Sequence, residues 1–252
     1  MIDDTIYFCI PLIGRLAAKN WDHVGELFDQ TLQSVLTQEG NLRVLVAGND
    51  IPVSRFIHDP RLEFLQVQGD VPQTWRERIQ DKAIKLRRLV EEVCDRDGGY
   101  VVTMDADDLV SNLLTRHVAR TDNKIGYIFQ SGYLFNVAGK RFDLVNDFPN
   151  HCGTCAVFYL GENDLTPGAG VCAILEKGKH TEYAKHAESL GRKLERIPFP
   201  AAIYLRHHGD NVSLERISAL RFRKTRNLLR RLVSRSYIND EIRSEFNVPP
   251  HY

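Results

Sequence analysis

Asp105-Ala106-Asp107-Asp108 sets three carboxylates within four residues, directly after the apolar run Tyr100 to Met104. Carboxylates this close repel one another unless a cation neutralises them. Hard divalent ions such as Mg2+ and Mn2+ take oxygen ligands of this kind and share themselves with substrate phosphates. An acidic turn capping the next helix is the plain alternative, since Asp is a good N-cap, but capping explains poorly why a buried strand should aim at the cluster. His207-His208-Gly209-Asp210-Asn211 offers imidazole, a common ligand for borderline divalent ions. Adjacent histidines on a strand point to opposite faces, so at most one of them ligates; the alternative is a surface loop with incidental histidines. Cys152-Gly153-Thr154-Cys155 invites a redox or zinc reading. Thioredoxin-like motifs open a helix, however, whereas the strand-like Ala156 to Leu160 follows here, and no second pair completes a zinc site. Cys155 is expected to pack in the core.

The elements around these groups alternate through the first half. Ile6–Ile10 is a short apolar run closed by Pro11, and Leu42–Ala47 is rich in branched residues and ends at Gly48-Asn49-Asp50. Together with Tyr100–Met104 they read as three strands. Between them, Val24, Leu27, Phe28, Leu32, Val35 and Leu36 recur at helical spacing, as do Trp75, Ile79, Ala83, Leu86, Val90 and Val93. This β-α-β-α-β order predicts an α/β fold: a single Rossmann-like sheet, parallel through these strands and mixed overall, with right-handed crossovers and helices on both faces. Ligands of such sheets bind at the carboxyl ends of strands, where Pro11 to Arg15, Asn49-Asp50 and Asp105 to Asp108 are delivered to one edge. In the second half, Lys124 to Phe129 and Tyr133 to Val137 flank Gly132 like a hairpin, Cys155 to Leu160 reads as a strand, and His180 to Gly191 as helical. Arg196 to Arg206 reads as extended, and Leu214 to Ser234 as a C-terminal helix.

The 252 residues can bury a sizeable core. Lys+Arg and Asp+Glu are both 33, so nothing global selects a nucleic-acid backbone. Five scattered cysteines suit a reducing compartment better than a disulfide framework. There is no basic signal-like N-terminus, and no window nears the roughly 18 apolar residues of a membrane span, so a cytoplasmic protein is expected. The C-terminal helix carries Arg216, Arg221, Arg223, Lys224, Arg226, Arg230, Arg231 and Arg235. That pattern suits a solvated face or peripheral contact with an anionic membrane.

The segment YVVTMDADDLVS resembles the Asp-x-Asp region of family-2-like GT-A glycosyltransferases. FCIPLIGR is similar to their first strand, TLQSVLTQ to their first helix, LRVLVAGND to their second strand, and LGRKLERIPFPAAIYLRHHGDNVS to their last strands and a metal-side His. The resemblance implies a GT-A domain over 1–213, with a nucleotide-sugar half (1–108) and an acceptor half (109–213), followed by a basic helix and tail over 214–252. It implies a Mn2+ or Mg2+ ion held by Asp107 and Asp105, with His208 as the favoured histidine, and Asp105 also placed to reach the ribose. Pro11 and Asp50 would line the nucleoside pocket, with Arg15 and Ala106 beside the donor. Arg78 and Lys82 would face the donor, although helical spacing also allows both to be solvated. The implied reaction moves a sugar from a UDP- or GDP-linked donor to a glycan or lipid-linked acceptor. Inversion needs a carboxylate base, and relatives place a Glu-Asp pair where Lys179-His180-Thr181-Glu182 stands here. Glu182, His180 and Asp164 are the substitutes. Two rivals remain: a phosphohydrolase of the haloacid dehalogenase type, whose nucleophilic Asp normally sits on the first strand, and a nucleotide-sugar or glycan-binding domain without turnover.

Overall fold

The structure, a computed structural model, describes residues 4–206 and 238–252. The three expected strands are present as β1 (Ile6–Pro11), β2 (Leu42–Gly48) and β4 (Gly99–Thr103). Every residue of β4 is buried, as are the first five of β1, which is why these strands read as uninterrupted apolar runs. A further strand, β3 (Leu62–Gln66), lies at the sheet edge. It escapes the apolar pattern because Glu63, its second residue, is drawn into an ion pair with Arg96 at 2.7 Å.

α1 (Trp21–Leu36) joins β1 to β2, and α2 (Trp75–Cys94) joins β3 back to β4. Asn20 caps α1 by accepting from the His23 N–H, and Thr74 and Glu77 form a reciprocal capping box on α2. The two crossovers run in opposite directions along the sheet, so right-handed connections put α1 and α2 on opposite faces. After β4 come β5 (Asp108–Val110), α3 (Leu114–Thr121), β6 (Gly126–Ile128), β7 (Gly132–Asn136), β8 (Arg141–Val145) and β9 (Ala156–Leu160). They are followed by α4 (Gly170–Lys177), α5 (Tyr183–Ser189), β10 (Glu195–Arg196) and β11 (Ala202–Arg206). The main sheet has the order β10-β6-β9-β4-β1-β2-β3 and is mixed, because β9 runs antiparallel between β4 and β6.

Beside it stands a four-stranded sheet, β5-β11-β7-β8. The hairpin expected across Gly132 is therefore not formed: β6 belongs to the main sheet, while β7 pairs with β8 in the second. Gly132 is required for packing and not for turning, since a Cβ there would stand 2.4 Å from the Phe148 ring. The chain leaves the main sheet after β4 and enters the second at β5, and the acidic segment is the link between them. Two buried hydroxyls of α1 fix the landing point: Thr31 Oγ1 donates to the Asp108 carbonyl at 2.9 Å, and Ser34 Oγ accepts from the Val110 N–H at 3.2 Å.

The last described helix, α6 (Asp240–Phe246), packs on the second sheet. Phe246 and Val248 join Leu27, Leu109, Phe135, Phe142, Ile203 and Leu205 in a separate apolar cluster, and Ser111 Oγ donates to Glu245 Oε1 at 2.5 Å. Phe246 is fully buried, so Phe246→Ala should destabilise the protein by about 3–5 kcal/mol in urea unfolding. A loss well under ~1 kcal/mol would show that this segment is not part of the cooperative core.

Candidate functional site

Met104 and Asp105 continue from β4, and Ala106-Asp107 then form a turn closed by Asp108 N–H donating to the Asp105 carbonyl at 3.2 Å. The change of sheet forces a reversal of the chain here, and the turn brings the side chains of Asp105, Asp107 and Asp108 together. One carboxylate oxygen from each of Asp105, Asp107 and Asp108 lies within 4.8 Å of the others, the only such cluster among the described residues. Asp108 is fully buried, whereas Asp105 and Asp107 are half-buried. Burial, followed by the charges of Asp107 and Asp105, pushes the Asp108 carboxyl well above its ordinary range.

Asp108 Oδ2 accepts from Thr154 Oγ1 at 2.5 Å and from the Cys152 thiol at 3.0 Å. Its Oδ1 is buried with no hydrogen-bond partner. A buried, orphaned carboxylate oxygen beside two further carboxylates fits a hard divalent cation, which supplies what no protein donor here does.

The α2 helix brings cations to this turn. Lys82 Nζ donates to Asp105 Oδ1. Dense packing opposes the lysine charge, but the Asp105 carboxylate outweighs it, and the Lys82 pKa ends above the usual lysine value. One turn earlier, Arg78 Nη2 donates to the Ala17 carbonyl at 3.3 Å, tying α2 to the loop after β1. A small pocket opens between these groups, lined by Pro11, Lys82, Thr103, Met104, Asp105, Gly153 and Tyr183, with Leu86 and Gly178 beneath. At the neighbouring strand ends, the Arg15 backbone N–H donates to Asp50 Oδ2 at 2.8 Å, joining the loops after β1 and β2. Pro11, Arg15, Asp50, Arg78, Lys82, Asp105 and Asp107 are thus gathered at one sheet edge, and Ala106 is packed against the core beside them.

The three candidate bases fare differently. His180 Nδ1 lies 2.7 Å from the Pro149 carbonyl, which can only accept, so Nδ1 carries the proton and Nε2 the lone pair. Burial lowers the His180 pKa, partly countered by that hydrogen bond and by the charge of Asp105. Glu182 is engaged elsewhere, with Lys179 at 2.5 Å and His186 at 3.5 Å. Asp164 is on the wrong edge. Leu160 at the end of β9 pairs with Gly99 at the start of β4, so the stretch after β9 emerges opposite the acidic turn. There Asp164 accepts from Arg192 at 2.5 Å and from the Gly161 N–H at 3.2 Å. His207 and His208, with the expected helix over 214–234, lie outside the described residues.

Thr154 and Tyr183 were not singled out from sequence. Tyr183 is buried beside Thr103, with their hydroxyls 3.3 Å apart, and it lines the pocket. Nothing in a lone Thr or Tyr marks such a role. Only the nearness of Thr154 to a glycine and two cysteines drew attention to that stretch.

No family model and no curated protein matches the chain. Among solved structures it is similar to 4-diphosphocytidyl-2C-methyl-D-erythritol synthase, at 17% identity and a TM-score of 0.46, over 78% of this chain and 89% of that one. It is also similar to S. aureus TarS 1–349, at 12% identity and a TM-score of 0.44, over 80% of this chain and 60% of that one. The same TarS fragment in complex with UDP gives 12% identity and a TM-score of 0.43 over the same shares, 80% and 60%. The chain therefore spans 60% of the TarS fragment's length. These are likenesses of general architecture, and no chemistry follows from them.

The cysteines are free and buried, and burial raises the thiol pKa of Cys9, Cys152 and Cys155. Thiols held protonated are poor nucleophiles. Iodoacetamide at neutral pH should leave these three unmodified in the native protein, while all five cysteines react in denaturant, as read by mass spectrometry. Rapid native labelling of Cys152 would contradict the buried-thiol assignment.

Proposed function

We propose that the chain is a metal-dependent, family-2-like glycosyltransferase that moves a sugar from a nucleotide-diphosphate-sugar donor to an acceptor hydroxyl. The observation that carries this reading is the convergence of Asp105, Asp107 and Asp108 at the carboxyl end of a central strand, beside the Lys82 ammonium. Asp107 and Asp105 would hold a Mn2+ or Mg2+ ion, with His208 as a further ligand. When bound, that ion neutralises charge developing on the departing diphosphate.

The remaining roles belong to the chain's own groups. Pro11 and Asp50 line the nucleoside position at the joined loops after β1 and β2. Arg15, Arg78 and Lys82 supply positive charge along the diphosphate. Lys82 also keeps Asp105 from repelling the donor until the site is loaded. His180, with its Nε2 lone pair and a lowered pKa, is the base that receives the acceptor proton. Glu182 and Asp164 do not serve, since one is held by Lys179 and the other stands at the opposite sheet edge. The proposal takes UDP- or GDP-linked sugars as donors and a glycan or lipid-linked molecule as acceptor. No described helix is long and apolar enough to cross a membrane, and the expectations of a cytoplasmic place and of peripheral membrane contact remain proposals.

A second reading, donor binding without turnover, draws support from the absence of a free carboxylate base at the turn among the described residues. The two readings separate on hydrolysis: a transferase slowly releases sugar from its donor in Mn2+, and a binding domain does not.

Calorimetry with UDP- and GDP-sugars should show binding that needs Mn2+ and disappears in chelator. Asp107→Ala should cost more than the ~10–100-fold that loss of a mere supporting contact costs in metal affinity. Equal binding in chelator, or a fully active Asp107→Ala, would overturn the metal-dependent reading. His180→Gln should lower kcat by about 10²–10⁴-fold with donor affinity retained. An unchanged kcat would remove His180 as the base.

A further inference from the structure

The Cys152-Gly153-Thr154 turn has no use in redox or zinc chemistry, yet each of its residues meets the acidic turn. Thr154 is fully buried, and its hydroxyl works in both directions: it accepts from the Asp105 backbone N–H at 2.9 Å and donates to Asp108 Oδ2 at 2.5 Å. One oxygen thus fixes the separation between the start and the end of the acidic turn. Cys152 adds its S–H to the same Asp108 oxygen at 3.0 Å, while the Thr154 N–H donates back to Cys152 Sγ at 3.3 Å, which locks the turn on itself. Gly153 lies where a Cβ would stand 3.0 Å from Asp105 Oδ2 and 3.5 Å from Lys82 Nζ, so its bare backbone leaves room for that pair.

With both donors on Oδ2, Asp108 Oδ1 is left buried and unpartnered. We infer that Thr154 and Cys152 are positioning residues that present Asp108 Oδ1 as a third oxygen ligand, beside Asp105 and Asp107, for a divalent cation. This rests on the cation reading above and adds to it a ligand and the groups that orient it. A carboxylate clamped through one oxygen cannot rotate away when the site is empty, so the other oxygen is set before the ion arrives. Outer contacts of this kind orient ligands and typically govern ~10–100-fold in metal affinity.

The test uses the full chain with Mn2+ alone. Binding is read from the free Mn2+ signal in electron paramagnetic resonance, and thermal unfolding is followed in Mn2+ and in chelator. Thr154→Val keeps the shape but removes the hydroxyl, and should weaken Mn2+ binding by at least ~10-fold and shrink the Mn2+-induced rise in Tm. Thr154→Ser restores the hydroxyl and should restore both. Loss of Mn2+ binding in Asp107→Ala with unchanged binding in Thr154→Val would leave the proposed function standing and overturn this inference. A Thr154→Val protein that melts lower in chelator but gains the same Tm increment from Mn2+ would also overturn it, since the threonine would then serve only the fold. If the wild-type chain binds no Mn2+, both readings fall. Should Thr154→Val not fold, Cys152→Ala decides, since it removes the other donor to Asp108 Oδ2: the inference requires weaker Mn2+ binding there, and unchanged binding overturns it.

Discussion

Three carboxylates crowded into one turn repel one another, and two unit charges about 4 Å apart cost ~1–4 kcal/mol between water-like and surface-like dielectric. Burying one of them, Asp108, adds a desolvation penalty. Much of the surrounding structure can be understood as the set of groups that make this arrangement tolerable. Lys82 answers Asp105, Thr154 and Cys152 hold one oxygen of Asp108, and Thr31 and Ser34 of α1 fix the backbone where the turn enters β5. No described group answers Asp108 Oδ1. These three carboxylates at a strand's end, one oxygen of which has no described partner, are the observation from which the proposed cation site follows.

The same turn explains the architecture. It is the first crossing of the chain from the seven-stranded to the four-stranded sheet, so elements from both are tied to it. β4 delivers Asp105, β5 begins at Asp108, and β11 pairs with β5 so that Tyr204 stands opposite Asp108. α2 contributes Arg78 and Lys82 from successive turns of one helix face, which places two cations above the strand ends. The second apolar cluster, with Leu109 from β5 and Phe246 from α6, holds the far side of the crossing in place.

Strands β1, β2 and β4 were legible in the sequence because a strand buried on both faces must be apolar at nearly every position. β3 was not, because an edge strand may carry a charge such as Glu63. Gly132 was misread because glycine marks turns and close packing alike, and only the Phe148 ring distinguishes the two. Asp105 to Asp108 stood out by composition, and the loops holding Pro11, Arg15 and Asp50 followed from the parallel order of strands. That Asp164 stands at the edge opposite the acidic turn was not legible, because the sequence does not reveal that β9 runs antiparallel to β4. Thr154 was invisible for a different reason: its importance lies wholly in two long-range hydrogen bonds, to residues 49 and 46 positions away.

The claim on which the rest depends is that the acidic turn holds a divalent cation against a nucleotide diphosphate. Anomalous diffraction from a co-crystal with Mn2+ and UDP tests it most directly. The expected map has a manganese peak within coordination distance of carboxylate oxygens of Asp105 and Asp107, bridging to the diphosphate. A diphosphate bound at this sheet edge with no manganese at the turn, or a manganese peak elsewhere on the protein, would contradict it.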